Sequence, residues 1–271
     1  MSQCGLPTFV NIRARLWNTV TSIPRSSGTW GNLVSVSRNR HYSSAADMAD
    51  AVELHYFFDP LCGWCYASAP ALEGLAARYR DLLRMRPSGL FTSGFPVSSM
   101  ADMAWRNDQT IQQLTGQRFT QEYRKSVLLA PNGIFDSWPA TLALVAVSEI
   151  DRALEPRLLH QLQIARYVEG RDTSKPAEVA KVAAASGLGL DQSEFEKRLV
   201  NDEALKARAL QRIEHTQRDL DKLGIQGVPQ LVVMSKSGGP ARVVDGQALH
   251  KGPEAVFAVL DKILPTAPKT N

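Results

Sequence analysis

The order of strand-like and helix-like stretches is the feature that leaves this chain the fewest folds. Val52 to Asp59 (VELHYFFD) is a run of branched and aromatic residues and reads as a strand. Gly63 to Leu83 is rich in alanine and leucine, with an apolar stripe at Leu72, Leu75, Ala76 and Tyr79 that predicts a helix. Pro70 falls inside it and predicts a kink, because it removes one backbone donor. Leu83 to Phe91 reads as a second strand. Strand, helix, strand is the opening of a βαβ unit with a parallel sheet.

From about Ser98 to Leu223 the periods are helical. Thr141 to Ile150 (TLALVAVSEI) is apolar nearly all round and predicts the buried centre of this region. Pro176 suits the first turn of a helix that stops at Gly187, and Asp191 with Glu194 resembles a capping box. A long charged helix then runs to Gly224. Strand signals return in Pro229 to Met234 (PQLVVM), followed by a turn, SKSGGP, and a further strand at Ala241 to Asp245. Gly252-Pro253 opens a last helix with a stripe at Val256, Val259, Leu260 and Ile263. The fold class is therefore α/β: β-α-β, about 120 residues of helices, then β-β-α.

Charge is uneven along the chain. Residues 1–47 carry five arginines and one acid, Asp47, which leaves the remainder with 26 bases against 26 acids. A balanced body gives no electrostatic reason to expect nucleic acid or a membrane surface as a partner. No apolar run approaches the roughly 20 residues that a membrane-spanning helix needs. The first 46 residues hold eight serines and no acid, the composition of an organelle-targeting presequence. Arg40-His-Tyr-Ser-Ser also resembles a mitochondrial cleavage site. The competing expectation is translation from Met48, with residues 1–47 a disordered tail and the body cytoplasmic.

Directly behind the first strand stands DPLCGWCY, with Cys62 and Cys65 two residues apart. Such a pair can hold a metal, staple a loop or exchange electrons. A structural zinc site takes four ligands, and past residue 47 there is no second cysteine pair. His55, His160, His215 and His250 are scattered without metal-ligand spacing, so no metal is expected. A scaffold stapled by disulfides needs more cysteines than these; the third cysteine, Cys4, lies in the leader. For electron exchange the placement is suitable. A thiol at the start of a helix faces unpaired N–H groups and the positive end of the helix dipole, which favour thiolate and make the first cysteine the better nucleophile. A more sheltered second thiol, one turn on, can attack the mixed disulfide so formed.

Cys62-Gly63-Trp64-Cys65, Pro70 eight residues after the first cysteine, Gly224-Ile225-Gln226-Gly227-Val228-Pro229 and the ending VVDGQALHKGPEAVFAVLDKIL together resemble the thioredoxin superfamily. Within it the chain is similar to the DsbA-like thiol–disulfide oxidoreductases, related to FrnE-like and 2-hydroxychromene-2-carboxylate isomerase-like proteins. The resemblance spans roughly residues 50 to 264. It implies a thioredoxin-like domain from residues 48–98 and 221–271, with a helical insertion domain at 99–220. It makes Cys62 the nucleophile and Cys65 the resolving thiol. Pro229 would be the cis-proline facing them, with the Val228 backbone pairing to an extended substrate. Gly63 and Trp64 would tune the potential, Trp64 offering either an apolar substrate contact or a ring packed on its own helix. Gly246 would be the bulge glycine of the last strand. The partners implied are protein or small-molecule thiols and disulfides, with glutathione as a co-substrate and no bound cofactor.

One point departs from that pattern. Many relatives carry a buried acid six residues before the first cysteine, and here that position is Tyr56. Asp59 lies nearer the pair, but its place before Pro60 reads as turn-forming. A second reading on the same fold is a glutathione-dependent isomerase or kappa-class-like transferase. Those relatives usually have serine where Cys62 stands and lack the second cysteine.

Overall fold

A computed structural model describes residues 51–264; the leader, Cys4 and Met48 lie outside the described residues. The first strand is β1 (Val52–Phe58), and it is followed by α1 (Gly63–Ala67), α2 (Ala69–Arg78) and β2 (Leu83–Pro87). The expected kink is a break. Ser68 leaves helical geometry (φ −90°, ψ 5°), so Pro70 falls in the first turn of α2, where a missing N–H costs nothing. β2 ends at Pro87, short of the expected Phe91, and Ser88 to Phe91 turn away from the sheet.

Between β2 and the returning strands lie two small strands that the sequence pattern did not suggest, β3 (Phe95–Pro96) and β4 (Ile134–Phe135), paired antiparallel. The helices of this stretch are α3 (Ala101–Thr115), α4 (Gln121–Tyr123, continued as a π-helical turn to Leu128), α5 (Trp138–Ser148), α6 (Leu154–Tyr167), α7 (Pro176–Ala185), α8 (Gln192–Asn201) and α9 (Glu203–Lys222). α5 is buried from Pro139 to Val147, as an all-round apolar helix must be. Its neighbours α6, α7 and α9 pack around it. α7 starts on Pro176 as expected. Asp191 caps α8 by accepting from Glu194 N–H at 2.9 Å, while the Glu194 carboxylate turns to Lys197. α9 stops at Gly224, whose φ of +65° suits a residue without a Cβ.

β5 (Gln230–Ser235) and β6 (Arg242–Val243) complete a sheet in the order β2-β1-β5-β6. β1 runs parallel to β2 and antiparallel to β5, and β5 is antiparallel to β6. This is the thioredoxin-like arrangement, with a helical insertion between β2 and β5. β6 is shorter than the expected strand, since only Arg242 and Val243 join the ladder. Gly246 is not a bulge. It opens a short helix, α10 (Gly246–His250), capped by the Asp245 carboxylate accepting from Gln247 N–H at 3.0 Å. α11 (Pro253–Ile263) closes the fold against α2.

The two faces of β1 meet different cores. Leu54, Tyr56 and Phe58 join the main one, which runs on into the insertion. Phe57 belongs to a small second core with Leu220 and Val232 under α9. The C-terminal end of β1 thus delivers residues 59–62 to the seam between sheet and insertion.

Candidate active site

Cys62 is the N-cap of α1, one place before the helix proper, in extended backbone geometry (φ −84°, ψ 118°). Its carbonyl accepts from Cys65 N–H at 3.0 Å and Tyr66 N–H at 3.1 Å, which starts the helix. Its thiol donates to the Val228 carbonyl at 3.5 Å. The Val228–Pro229 bond is cis, so the loop before β5 lies across the head of α1 as the resemblance implies. The two thiols are free but differently placed. Cys62 keeps 8% of its surface accessible and Cys65 none. Burial pushes the Cys65 thiol well above its ordinary value, and the neighbouring Cys62 sulfur pushes it the same way.

Trp64 is half-buried. Its ring packs against His250 of α10, with centroids 4.8 Å apart. Burial holds the His250 imidazole below its ordinary value. Gly63 faces the insertion. A Cβ there would come within 2.6 Å of Asp108 Oδ1 and 3.1 Å of Ile111 Cδ1, so a side chain at 63 requires the Asp108 and Ile111 side chains to give way.

Asp59 forms the expected turn, its Oδ1 accepting from Leu61 N–H at 2.9 Å. It also does more than the turn reading allows. It is fully buried, and Oδ2 accepts from Phe91 N–H at 3.2 Å and from the Ser137 hydroxyl at 2.9 Å. One carboxyl therefore ties together the active-site loop, the segment leaving β2 and the start of α5. Burial pushes it up to about 6, against the pull of those three donors. Tyr56 is fully buried and lies 2.6 Å from Ser68 Oγ. Ser68 donates onward to the Cys65 carbonyl at 3.0 Å, so the phenol is the donor to Ser68. That carbonyl comes at the break between α1 and α2, and Tyr56 and Ser68 satisfy it.

Several supporting residues escaped the sequence reading. Tyr167 of α6 donates to the Leu61 carbonyl at 2.8 Å and stacks on Tyr66, centroids 5.0 Å apart. Phe119 and Tyr123 extend this aromatic cluster under α1. Asp108 is buried and accepts from the Tyr123 hydroxyl at 3.0 Å. No periodic signal marks these residues; they come from helices far apart in sequence. Among the described residues there is no cluster of histidine, cysteine and acids able to hold a metal, and no helix is long and apolar enough to cross a membrane.

The family model for the DSBA-like thioredoxin domain matches residues 53–255, which takes in both thiols, the cis-proline and the whole helical insertion. The chain belongs to that family. With both thiols in place it is a thiol–disulfide oxidoreductase of the DsbA-like branch. Among solved structures it is similar to the cytosolic disulfide reductase DsbM from Pseudomonas aeruginosa, at 31% identity and a TM-score of 0.68, over 78% of this chain and 98% of that one. The same reductase with GSH gives 32% identity and a TM-score of 0.66, over 79% of this chain and 100% of that one. A protein assigned as a disulfide isomerase from Nitrosomonas europaea gives 28% identity and a TM-score of 0.60, over 79% and 97%. No curated protein matches by sequence.

Proposed function

We propose that the chain reduces disulfides in the cytosol, with Cys62 as nucleophile, Cys65 as resolving thiol and glutathione returning the pair to the dithiol. The observation that carries the assignment of roles is the difference in burial between the two thiols: Cys62, against the Val228 carbonyl, keeps a small accessible edge of 8%, and Cys65 is wholly enclosed. A nucleophile must meet its substrate, whereas a resolving thiol only has to meet the nucleophile. The reducing direction, the compartment and glutathione are supported by the likeness to a cytosolic disulfide reductase and to its structure with GSH.

The steps follow. The Cys62 thiolate attacks a substrate disulfide, forming a mixed disulfide and releasing the first substrate thiolate. Cys65 gives up its proton to solvent, and its sulfur attacks that of Cys62. The Cys62–Cys65 disulfide forms and the second substrate thiolate leaves, so two electrons have passed from the pair to the substrate. Two glutathione molecules reverse the change and leave as glutathione disulfide. While the mixed disulfide exists, the Val228 backbone offers an extended substrate a strand-like partner, and Trp64 flanks the sulfur as an apolar contact held by His250.

The test is insulin reduction driven by glutathione, in the wild type and in Cys62→Ser and Cys65→Ser variants. Activity in the wild type, none in Cys62→Ser, and a glutathione adduct trapped on Cys62 in Cys65→Ser are expected. Wild-type turnover no faster than that of Cys62→Ser would remove the reading.

A further inference from the structure

Asp108 is a buried carboxyl that lies against the CGWC motif but takes no part in the exchange steps above. Its Oδ1 lies where a Cβ on Gly63 would come within 2.6 Å, so it touches the residue next to Cys62. Its Oδ2 accepts from Tyr123 at 3.0 Å. Behind this pair stands Arg166 of α6, 1% exposed, with no hydrogen-bond acceptor for its guanidinium nitrogens among the described residues. That charge is met by the ring faces of Phe135 at 5.0 Å and Tyr123 at 5.8 Å, and by Asp172 Oδ1 at 3.9 Å. A guanidinium stays protonated at any working pH. Burying one among a carboxyl and two phenols is costly unless their charges answer it.

We propose that Asp108 is a positioning residue of the exchange reaction: its carboxyl beside Gly63, held by the Tyr123 hydroxyl, sets how readily Cys62 becomes a thiolate. This rests on the reading that Cys62 is the nucleophile. The charged and titratable groups around the carboxyl are Tyr123 on α4 and Arg166 and Tyr167 on α6, with Asp172 beyond Arg166; Cys62 is the chain neighbour of Gly63, which the carboxyl touches. Tyr167, which donates to the Leu61 carbonyl just before Cys62, packs 5.1 Å from the Tyr123 ring whose hydroxyl Asp108 holds, so one cluster joins the carboxyl to the active-site loop. A negative charge there opposes a thiolate, and a neutral carboxyl does not. Burial pushes Asp108 up to about 7, with Tyr123 and Arg166 pulling the other way.

The experiment follows the rate at which iodoacetamide modifies Cys62, by peptide mass, from pH 5 to 9 in Asp108→Asn, Tyr123→Phe, the double variant and wild type. Asparagine keeps the size and can still accept from Tyr123. With the charge gone, Cys62 is expected to react about tenfold faster near pH 7.5. The pair's equilibrium with glutathione should shift about tenfold toward the dithiol, a change of about 30 mV. Tyr123→Phe removes a bond that favours the charged carboxyl, so it should move both readouts the same way but less, and should add nothing to Asp108→Asn. A merely structural role predicts lower stability with an unchanged pH profile, and that result overturns the proposal. So does an effect of Tyr123→Phe that persists in full beside Asp108→Asn. If Asp108→Asn fails to fold, Tyr123→Phe alone decides: an unshifted profile refutes the proposal. Inactivity of Cys62→Ser tests the nucleophile separately, so the two readings fail in distinguishable ways.

Discussion

The Tyr167 hydroxyl, at the end of a helix in the insertion, donates at 2.8 Å to the carbonyl of Leu61, the residue before Cys62. The Leu61 N–H is taken by Asp59, so the two peptide groups flanking this residue are both held. Tyr167→Phe keeps the ring stacked on Tyr66 and removes only the oxygen. A buried carbonyl left without its donor costs about 1–3 kcal/mol. Urea unfolding should show a loss of that size with an unchanged m-value. Turnover should fall only a few-fold, because the sulfurs themselves are untouched. A variant as stable as wild type would mean that the bond contributes nothing to the loop.

Asp59 gives the chain a pH-dependent stability of its own. Its folded value is raised to about 6 from an ordinary 3.8. The folded state therefore holds the proton more tightly than the unfolded state does. That contribution is present in full below about pH 4 and is lost as pH rises through about 6. Two units on a fully buried group correspond to at most about 3 kcal/mol. Asp59→Asn cannot ionise, so wild type should lose up to that amount relative to the variant between pH 4 and 6.5. A constant offset in the other direction is expected as well, since one amide oxygen replaces two carboxylate oxygens that accept from three donors. Unfolding curves measured across this range check it, and parallel profiles would show that Asp59 does not titrate there.

The sequence showed the chemistry more clearly than its supports. Cys62, Cys65 and Pro70 are legible because each imposes a local demand: two thiols one turn apart at a helix start, and a missing donor; Pro229 is legible through the resemblance carried by the segment from Gly224 to Pro229. Element order is legible for a similar reason, since periods of two and 3.6 are local. Asp59 shows the limit. Its turn could be read from Asp-Pro, but its bonds to Phe91 and Ser137 join residues 32 and 78 positions away. Asp108, Tyr123, Arg166 and Tyr167 look like ordinary helix residues in sequence and gain meaning only when three helices meet under α1. Gly246 misled for a different reason: a glycine after a strand suits a bulge, and the Asp245 carboxylate beside it suits a helix cap just as well.

A last prediction sets helix propensity against packing. Gly74 lies inside α2, where alanine ordinarily gains about 1 kcal/mol over glycine. Here a Cβ would come within 2.5 Å of the Pro253 Cβ and 3.2 Å of Phe257 Cζ. Pro253 cannot swing aside, because its ring is fixed to the backbone at the first turn of α11. Inserting a methyl into such a contact costs about 1–3 kcal/mol, and more where backbone must move. Packing should win, so Gly74→Ala is expected to lower the melting temperature by a few degrees. The damage should fall on the α2–α11 seam, seen as faster amide exchange in α11, while Cys62 keeps its reactivity. A rise in melting temperature would mean that α11 yields freely and that its contact with α2 is loose.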